Sequence, residues 1–364
     1  MKEGIEPGNV NDFINTCINI LAPYFSVYDY TYGENAVVLH GTPLVDEKEL
    51  QKELYNLFIT KGFQTEFKYH LGEYVIVIRK HAEEMPERVW INVLLAVTTF
   101  FTTMIMGATM FGVIPTAQPH LIYKGLPFTI AIMTVLGSHE MGHYLVARVH
   151  GMKTSLPYFI PFPSIIGTMG AVIKQRSPIQ NREALFDVGI SGPLVGLVVS
   201  VVVTIIGLTL PPVNIQHIGG AMIGVQLPPL FVFLANIVGH AGESMHPVAF
   251  AGWVGMLITS LNLIPAGQLD GGHVLRAMLG KKANYISSLT PFALIILGFV
   301  VTYVLEQEGT IWLFWGVFLS FFAAAGHPPP IDDVRPIDTM RMLLGIITFI
   351  LATLCITLTP FKLV

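Results

Sequence analysis

The chain has 364 residues, 52% of them hydrophobic and 12% charged, with a formal net charge of −4 and a mean hydropathy of +0.62. So apolar a composition excludes an ordinary soluble globular protein, and the acidic balance speaks against a nucleic-acid partner. Two cysteines, Cys17 and Cys355, supply neither a disulfide framework nor a thiolate metal site, so a metal would have to be held by histidine and carboxylate.

Charged residues crowd the first 88 positions, which predicts a soluble α+β domain over 1–85 ahead of a membrane domain. No basic start with a short apolar run and cleavage site opens the chain, so no signal or transit peptide is expected. Val10, Phe13, Ile14, Cys17, Ile18 and Leu21 follow helical spacing, and strands are predicted at Ser26–Tyr32 and Ala36–His40 around a turn at Gly33. A second cycle follows, with a helix over 46–61 stopped by Gly62 and strands at Phe63–Tyr69 and Glu73–Arg79 around Leu71-Gly72. The order α-β-β-α-β-β is a weak internal repeat. His40, His70 and His81 stand alone and read as solvated or structural, so this domain is expected to dock a regulatory partner and not to catalyse.

A charged linker, His81–Arg88, leads to apolar runs at 89–113, 126–149, 187–208, 247–263, 286–305, 311–325 and 340–358. The expected architecture is a multi-pass α-helical membrane protein with about six or seven transmembrane helices, each near the ~20 residues needed to cross the bilayer. Residues 89–280 are expected to form the core and 281–364 a set of C-terminal helices. Between the second and third runs, Lys153–Arg182 holds Pro157, Pro161, Pro163, Gly167 and Gly170 and a strand-like Ala171-Val172-Ile173. Irregular backbone at membrane depth needs protein or a water-filled cavity to satisfy it, so this segment is predicted to be a β-hairpin or re-entrant loop lying over the active site. The run 187–208 contains Gly192-x-x-x-Gly196, small residues that let another helix pack closely. Pro211–His246 has no Lys or Arg and reads as a loop resting in the outer membrane surface.

The second run carries Ser138-His139-Glu140-Met141-Gly142-His143 in its last half. At about 100° per residue, His139 and His143 share one helical face with Glu140 beside them. Ionisable groups at such depth are expensive and functional. Two imidazoles one turn apart can take two corners of a zinc site, and the neighbouring carboxylate can deprotonate an attacking water. A catalytic zinc needs a third protein ligand. Asp270, in a Gly-rich turn after the fourth run, is the leading candidate, with Glu243 as its rival and a helix N-cap as the alternative role for Asp270.

Orientation follows from the basic residues. With the N-terminal domain inside, residues such as Arg79, Arg88, Arg148, Lys153, Lys174, Arg276, Lys281 and Arg341 fall inside, and only Lys124 and Lys362 outside. The motif and Asp270 then share the cytoplasmic half, and Glu243 lies across the membrane. The expected setting is the cell membrane of a prokaryote, with the N-terminal domain and the active-site opening on the cytoplasmic side.

These residues resemble the site-2 protease family of intramembrane zinc metalloproteases. The family pairs His-Glu-x-x-His on one membrane helix with Asn-x-x-Pro-x-x-x-Leu-Asp-Gly on another, and here the second reads Asn262-Leu263-Ile264-Pro265-Ala266-Gly267-Gln268-Leu269-Asp270-Gly271. Pro157–Pro161, Gly167–Gly170 and Phe186-Asp187-x-x-x-x-Gly192-Pro193 look like the archaeal, cyanobacterial and plastid branch. The resemblance spans about 90–280 and implies one zinc per chain on His139, His143 and Asp270, with Glu140 as general base and Asn262 on the substrate backbone or oxyanion. Gly267, where many members have a second proline, and the lack of an inserted PDZ-like region are departures. The implied activity is cleavage of single-span membrane substrates in regulated intramembrane proteolysis, with unwound substrate pairing along Gly170, Ala171 and Val172. A zinc or divalent-metal transporter is the competing class. It is disfavoured because the polar residues converge on one side only.

Overall fold

The computed structural model describes residues 10–33, 36–58, 63–70, 72–80, 88–213, 223–240, 244–324, 330, 333 and 335–363. Two compact units divide the chain, Met1–Glu87 and Arg88–Val364. The first contains α1 (Val10–Leu21), β1 (Phe25–Tyr32), β2 (Ala36–Pro43), α2 (Glu47–Phe58), β3 (Phe63–His70) and β4 (Glu73–Lys80). Its strands form an antiparallel sheet of order β1-β2-β4-β3. The apolar stripes of both helices, Ile14, Cys17 and Leu21 with Leu50, Leu54 and Phe58, are buried with Leu39, Ile76 and Ile78 of the sheet. His40 pairs with Glu73 at 3.1 Å on the surface of the sheet. The predicted stop at Gly62, Leu71 of the turn and linker residues 81–87 lie outside the described residues.

The second unit holds α3 (Val89–Met110), a 3-10 stretch (Pro119–Gly125), α4 (Leu126–Val149), β5 (Tyr158–Pro161), β6 (Thr168–Val172), α5 (Arg182–Thr209), β7 (Ile223–Val225), α6 (Pro229–Val238), α7 (Pro247–Asn262), α8 (Asp270–Leu279), α9 (Ala283–Tyr303), α10 (Thr310–Ala324), α11 (Thr339–Leu354) and β8 (Phe361–Leu363). Four helical stretches, 89–110, 119–149, 182–209 and 270–303, are long and apolar enough to cross a membrane. The others read as spans are shorter: α7 and α11 have 16 residues and α10 has 15. Sixteen residues rise about 24 Å, less than the ~30 Å of hydrocarbon.

α7 is nonetheless the centre of the unit. Ala249, Phe250, Trp253, Met256 and Leu257 of α7 share one core with Phe128, Ile132 and Val135 of α4 and Leu197 and Val203 of α5. Small residues permit the approach: a side chain at Gly207 would collide with Ala249, and one at Gly252 with Thr204.

The stretch 211–246 differs from the expected loop. Proline at the first turn and Gly239 at φ 75 bound the helix α6, which buries Phe231, Leu234 and Ala235. Ten residues between a proline pair and a glycine carry too short a periodicity to announce a helix. β7 pairs with β8. Asp270 is the first residue of α8, with Leu269 at the N-cap position, so it is not itself the cap.

Candidate metal centre

Helical spacing puts His139 and His143 one turn apart on α4, and both side chains are buried. α7 ends at Asn262, and residues 263–269 turn the chain so that α8 begins with Asp270 beside them. His139 Nε2 lies 3.2 Å from Asp270 Oδ2, His143 Nε2 lies 3.3 Å from the same oxygen, and the two Nε2 atoms are 3.3 Å apart. The fit to zinc follows from that triangle. Ligands at the ~2.0–2.1 Å typical of Zn–N and Zn–O bonds sit about 3.3 Å from one another at tetrahedral corners. Among the described residues, these three are the group of His, Cys, Asp and Glu able to hold a metal ion. Glu243 lies outside the described residues.

Each of the three side chains is supported. His143 Nδ1–H donates to the Val188 carbonyl at 2.7 Å, which leaves Nε2 as the donor atom for a metal. The small residues of α5 face these same histidines: a methyl at Gly192 would overlap the His143 ring, and one at Gly196 would come within 2.9 Å of His139 Nδ1. In the turn before Asp270, Gly267 has φ 54 and donates its N–H to Ser287 Oγ at 2.8 Å. Proline could satisfy neither condition, which explains the departure from the pattern at this position.

Glu140 is buried beside these three side chains, and its carboxylate accepts a hydrogen bond from the backbone N–H of Ile173. Asn262 Nδ2 reaches 3.4 Å from His139 Nε2. A cavity of about 640 Å³ joins His139, Glu140, His143, Asn262 and Asp270 to Ala171–Gln175. Sequence reasoning missed further polar residues on its wall, among them Gln268 and His273. His273 is three residues after Asp270, a helical spacing that could have pointed to it.

The predicted hairpin is present, with β5 and β6 antiparallel. α3 holds it at both ends, through Asn92 Nδ2 to the carbonyls of Leu156 at 2.9 Å and Pro157 at 3.1 Å and Thr102 Oγ1 to the Gly167 carbonyl at 2.7 Å. Beyond β6 the pairing continues: Lys174 N–H donates to Ser155 Oγ at 2.8 Å and Arg176 N–H to the Lys153 carbonyl at 2.9 Å. Backbone direction alternates along a strand. The N–H groups of Val172, Lys174 and Arg176 therefore face the 153–161 side, and those of Ala171 and Ile173 face the cavity. Of the expected substrate contacts, Ala171 and Val172 line the cavity, whereas the Gly170 N–H is taken by Thr168 Oγ1 at 3.0 Å.

Residues 127–302 match the model of peptidase family M50. The chain is similar to a probable zinc metalloprotease EGY1, chloroplastic, of Oryza sativa subsp. japonica, 27% identical over 86% of this chain and 58% of that one. It is also similar to two such proteins of Arabidopsis thaliana: EGY2, 30% identical over 66% of this chain and 43% of that one, and EGY1, 31% over 65% and 43%. The chain thus spans about half the length of these relatives. No solved structure matches it.

Proposed function

As a member of the site-2 protease family through its peptidase family M50 domain, this chain is, we propose, a zinc endopeptidase that hydrolyses peptide bonds in or near the transmembrane segments of single-span substrates. The observation that carries the reading is the triangle of donor atoms on His139, His143 and Asp270, at 3.2–3.3 Å, in a buried wall of the cavity that Glu140 shares.

His139, His143 and Asp270 would hold one zinc ion. Bound there, zinc polarises a scissile carbonyl and makes water acidic enough to attack at neutral pH. Glu140, steadied by the Ile173 N–H, takes the proton of the attacking water and passes it to the leaving amine nitrogen as the C–N bond breaks. Asn262 offers its amide to the carbonyl oxygen, where negative charge develops. An unwound stretch of substrate pairs with the free edge of β6 at Ala171, which presents its carbonyls to the site.

The chain is a membrane protein, and the basic-residue bias supports a cavity and N-terminal domain on the cytoplasmic side. The relatives are named as chloroplast proteins, so they lend no support to a prokaryotic source. Residues 1–85 are assigned to docking a regulatory partner, in keeping with regulated proteolysis.

The test is reconstitution in liposomes with a single-span substrate. Wild type should cleave it. Glu140→Ala should keep its zinc and lose about 10²- to 10⁴-fold in rate, the contribution of a general base. Zinc flux without cleavage would transfer the chain to the transporters.

A further inference from the structure

Asp187, near the start of α5, is gripped from two other helices. Arg341, in the first turn of α11, donates from Nε to Asp187 Oδ1 at 2.7 Å and from Nη2 to Oδ2 at 2.8 Å. His150, just past the end of α4, lies 3.0 Å from the same Oδ2. Asp338, the N-cap of α11, accepts the Arg341 N–H at 2.9 Å and also contacts its guanidinium through the carboxylate. Arg341 is thus held in position by its own helix before it meets Asp187. The next residue after Asp187 is Val188, whose carbonyl accepts the Nδ1–H of His143 at 2.7 Å.

We propose that Arg341 is a positioning residue for His143, acting through Asp187 and the Val188 carbonyl; the inference rests on the reading of His143 as a zinc ligand. A two-bond arginine–carboxylate pair fixes direction as well as distance, which a single contact does not. It ties the first turns of α5 to α11 and holds the carboxylate that His150, at the end of α4, also meets, and so sets where the Val188 carbonyl meets the imidazole. Groups that orient a metal-binding histidine govern metal affinity. α11 lies beyond residue 302, outside the peptidase domain, yet on this account it completes the support of the metal centre. Anchoring of α11 does not require the pair. Met342 and Phe349 already pack against the cluster formed by Leu185, Phe186, Ile190, Val274 and Met278.

The test is zinc competition with a chelating dye on the full-length protein in detergent, with thermal unfolding measured in parallel. Arg341→Gln should weaken zinc binding about ten-fold, the lower end of the loss seen when a ligand's outer partner is altered. Arg341→Lys should lose less. Asp187→Asn should resemble Arg341→Gln, and the double variant should be no worse than the weaker single, because both remove one device. His143→Ala is the reference. Wild-type zinc affinity in folded Arg341→Gln, with zinc lost in His143→Ala, would overturn the inference and leave the metal site standing. Wild-type affinity in His143→Ala would overturn the site and the inference together. Should Arg341→Gln not fold, Arg341→Lys and Asp187→Asn decide by the same criterion.

Discussion

Gly192 of α5 lies flat against the imidazole of His143, so close that a single methyl group on its Cα would overlap the ring. The small-residue pattern that lets two membrane helices meet here also sets the depth of the His143 imidazole. Gly192→Ala should therefore displace His143 and lower zinc affinity by about 10- to 100-fold. Gly196→Ala, whose methyl would meet His139 Nδ1 at 2.9 Å, should cost less. Gly207→Ala, which collides with Ala249 of α7 and not with a histidine, should lower the unfolding temperature and leave zinc in place. Metal analysis after dialysis, beside a thermal melt, separates the three. Equal zinc content in Gly192→Ala and wild type would refute the coupling.

Asp270→Ala should empty the site and end cleavage, because two imidazoles alone leave too few protein bonds for a catalytic zinc. Glu243→Ala should change neither. Zinc per chain, measured on both purified variants, is the readout. Loss of zinc on changing Glu243, with retention on changing Asp270, would require the ligand set to be redrawn.

The free edge of β6 can be tested one residue at a time. Ala171→Pro removes an N–H that faces the cavity and should raise the KM for a membrane-embedded substrate about five-fold, the worth of one hydrogen bond at ~1 kcal/mol. Zinc content should not change. Val172→Pro removes an N–H that faces the 153–161 side, so it should destabilise the hairpin itself. If Ala171→Pro cleaves like wild type, substrate does not pair along this edge.

Burial in the core of the N-terminal unit pushes the Cys17 thiol up to about 12 from its ordinary 9.0. The folded form keeps its proton while the unfolded chain loses it, so this unit should lose stability as pH rises from about 9 towards about 12. Below that window Cys17 should resist iodoacetamide until the unit unfolds. Rapid alkylation of the native protein at pH 8 would contradict the burial.

Much of the chemistry was legible along the chain because it is local. The register that sets His139, Glu140 and His143 on one stripe of α4 needs only 3.6 residues per turn, and the run 126–149 matches α4 at both ends. The four strands and two helices of the first unit were likewise readable, since alternation and helical spacing are properties of a few consecutive residues. α6 was not, because a short, mostly apolar stretch between a proline pair and Gly239 fits helix and loop alike.

Tertiary structure decided which distant groups meet. Asp270 stands 131 residues from His139, and sequence left it in competition with Glu243 and with a capping role. Its oxygen reaches both Nε2 atoms because α7 packs against both α4 and α5 and the glycine turn at 267 brings α8 back beside them. The Val188 carbonyl on His143, the Ile173 N–H on Glu140 and the cavity-facing parity of β6 are backbone groups, identical in every residue, and no sequence pattern marks them. Side-chain identity and helical period are written in the chain. The contacts that aim the side chains depend on how close two helices can come, and that distance is set only when their small residues meet.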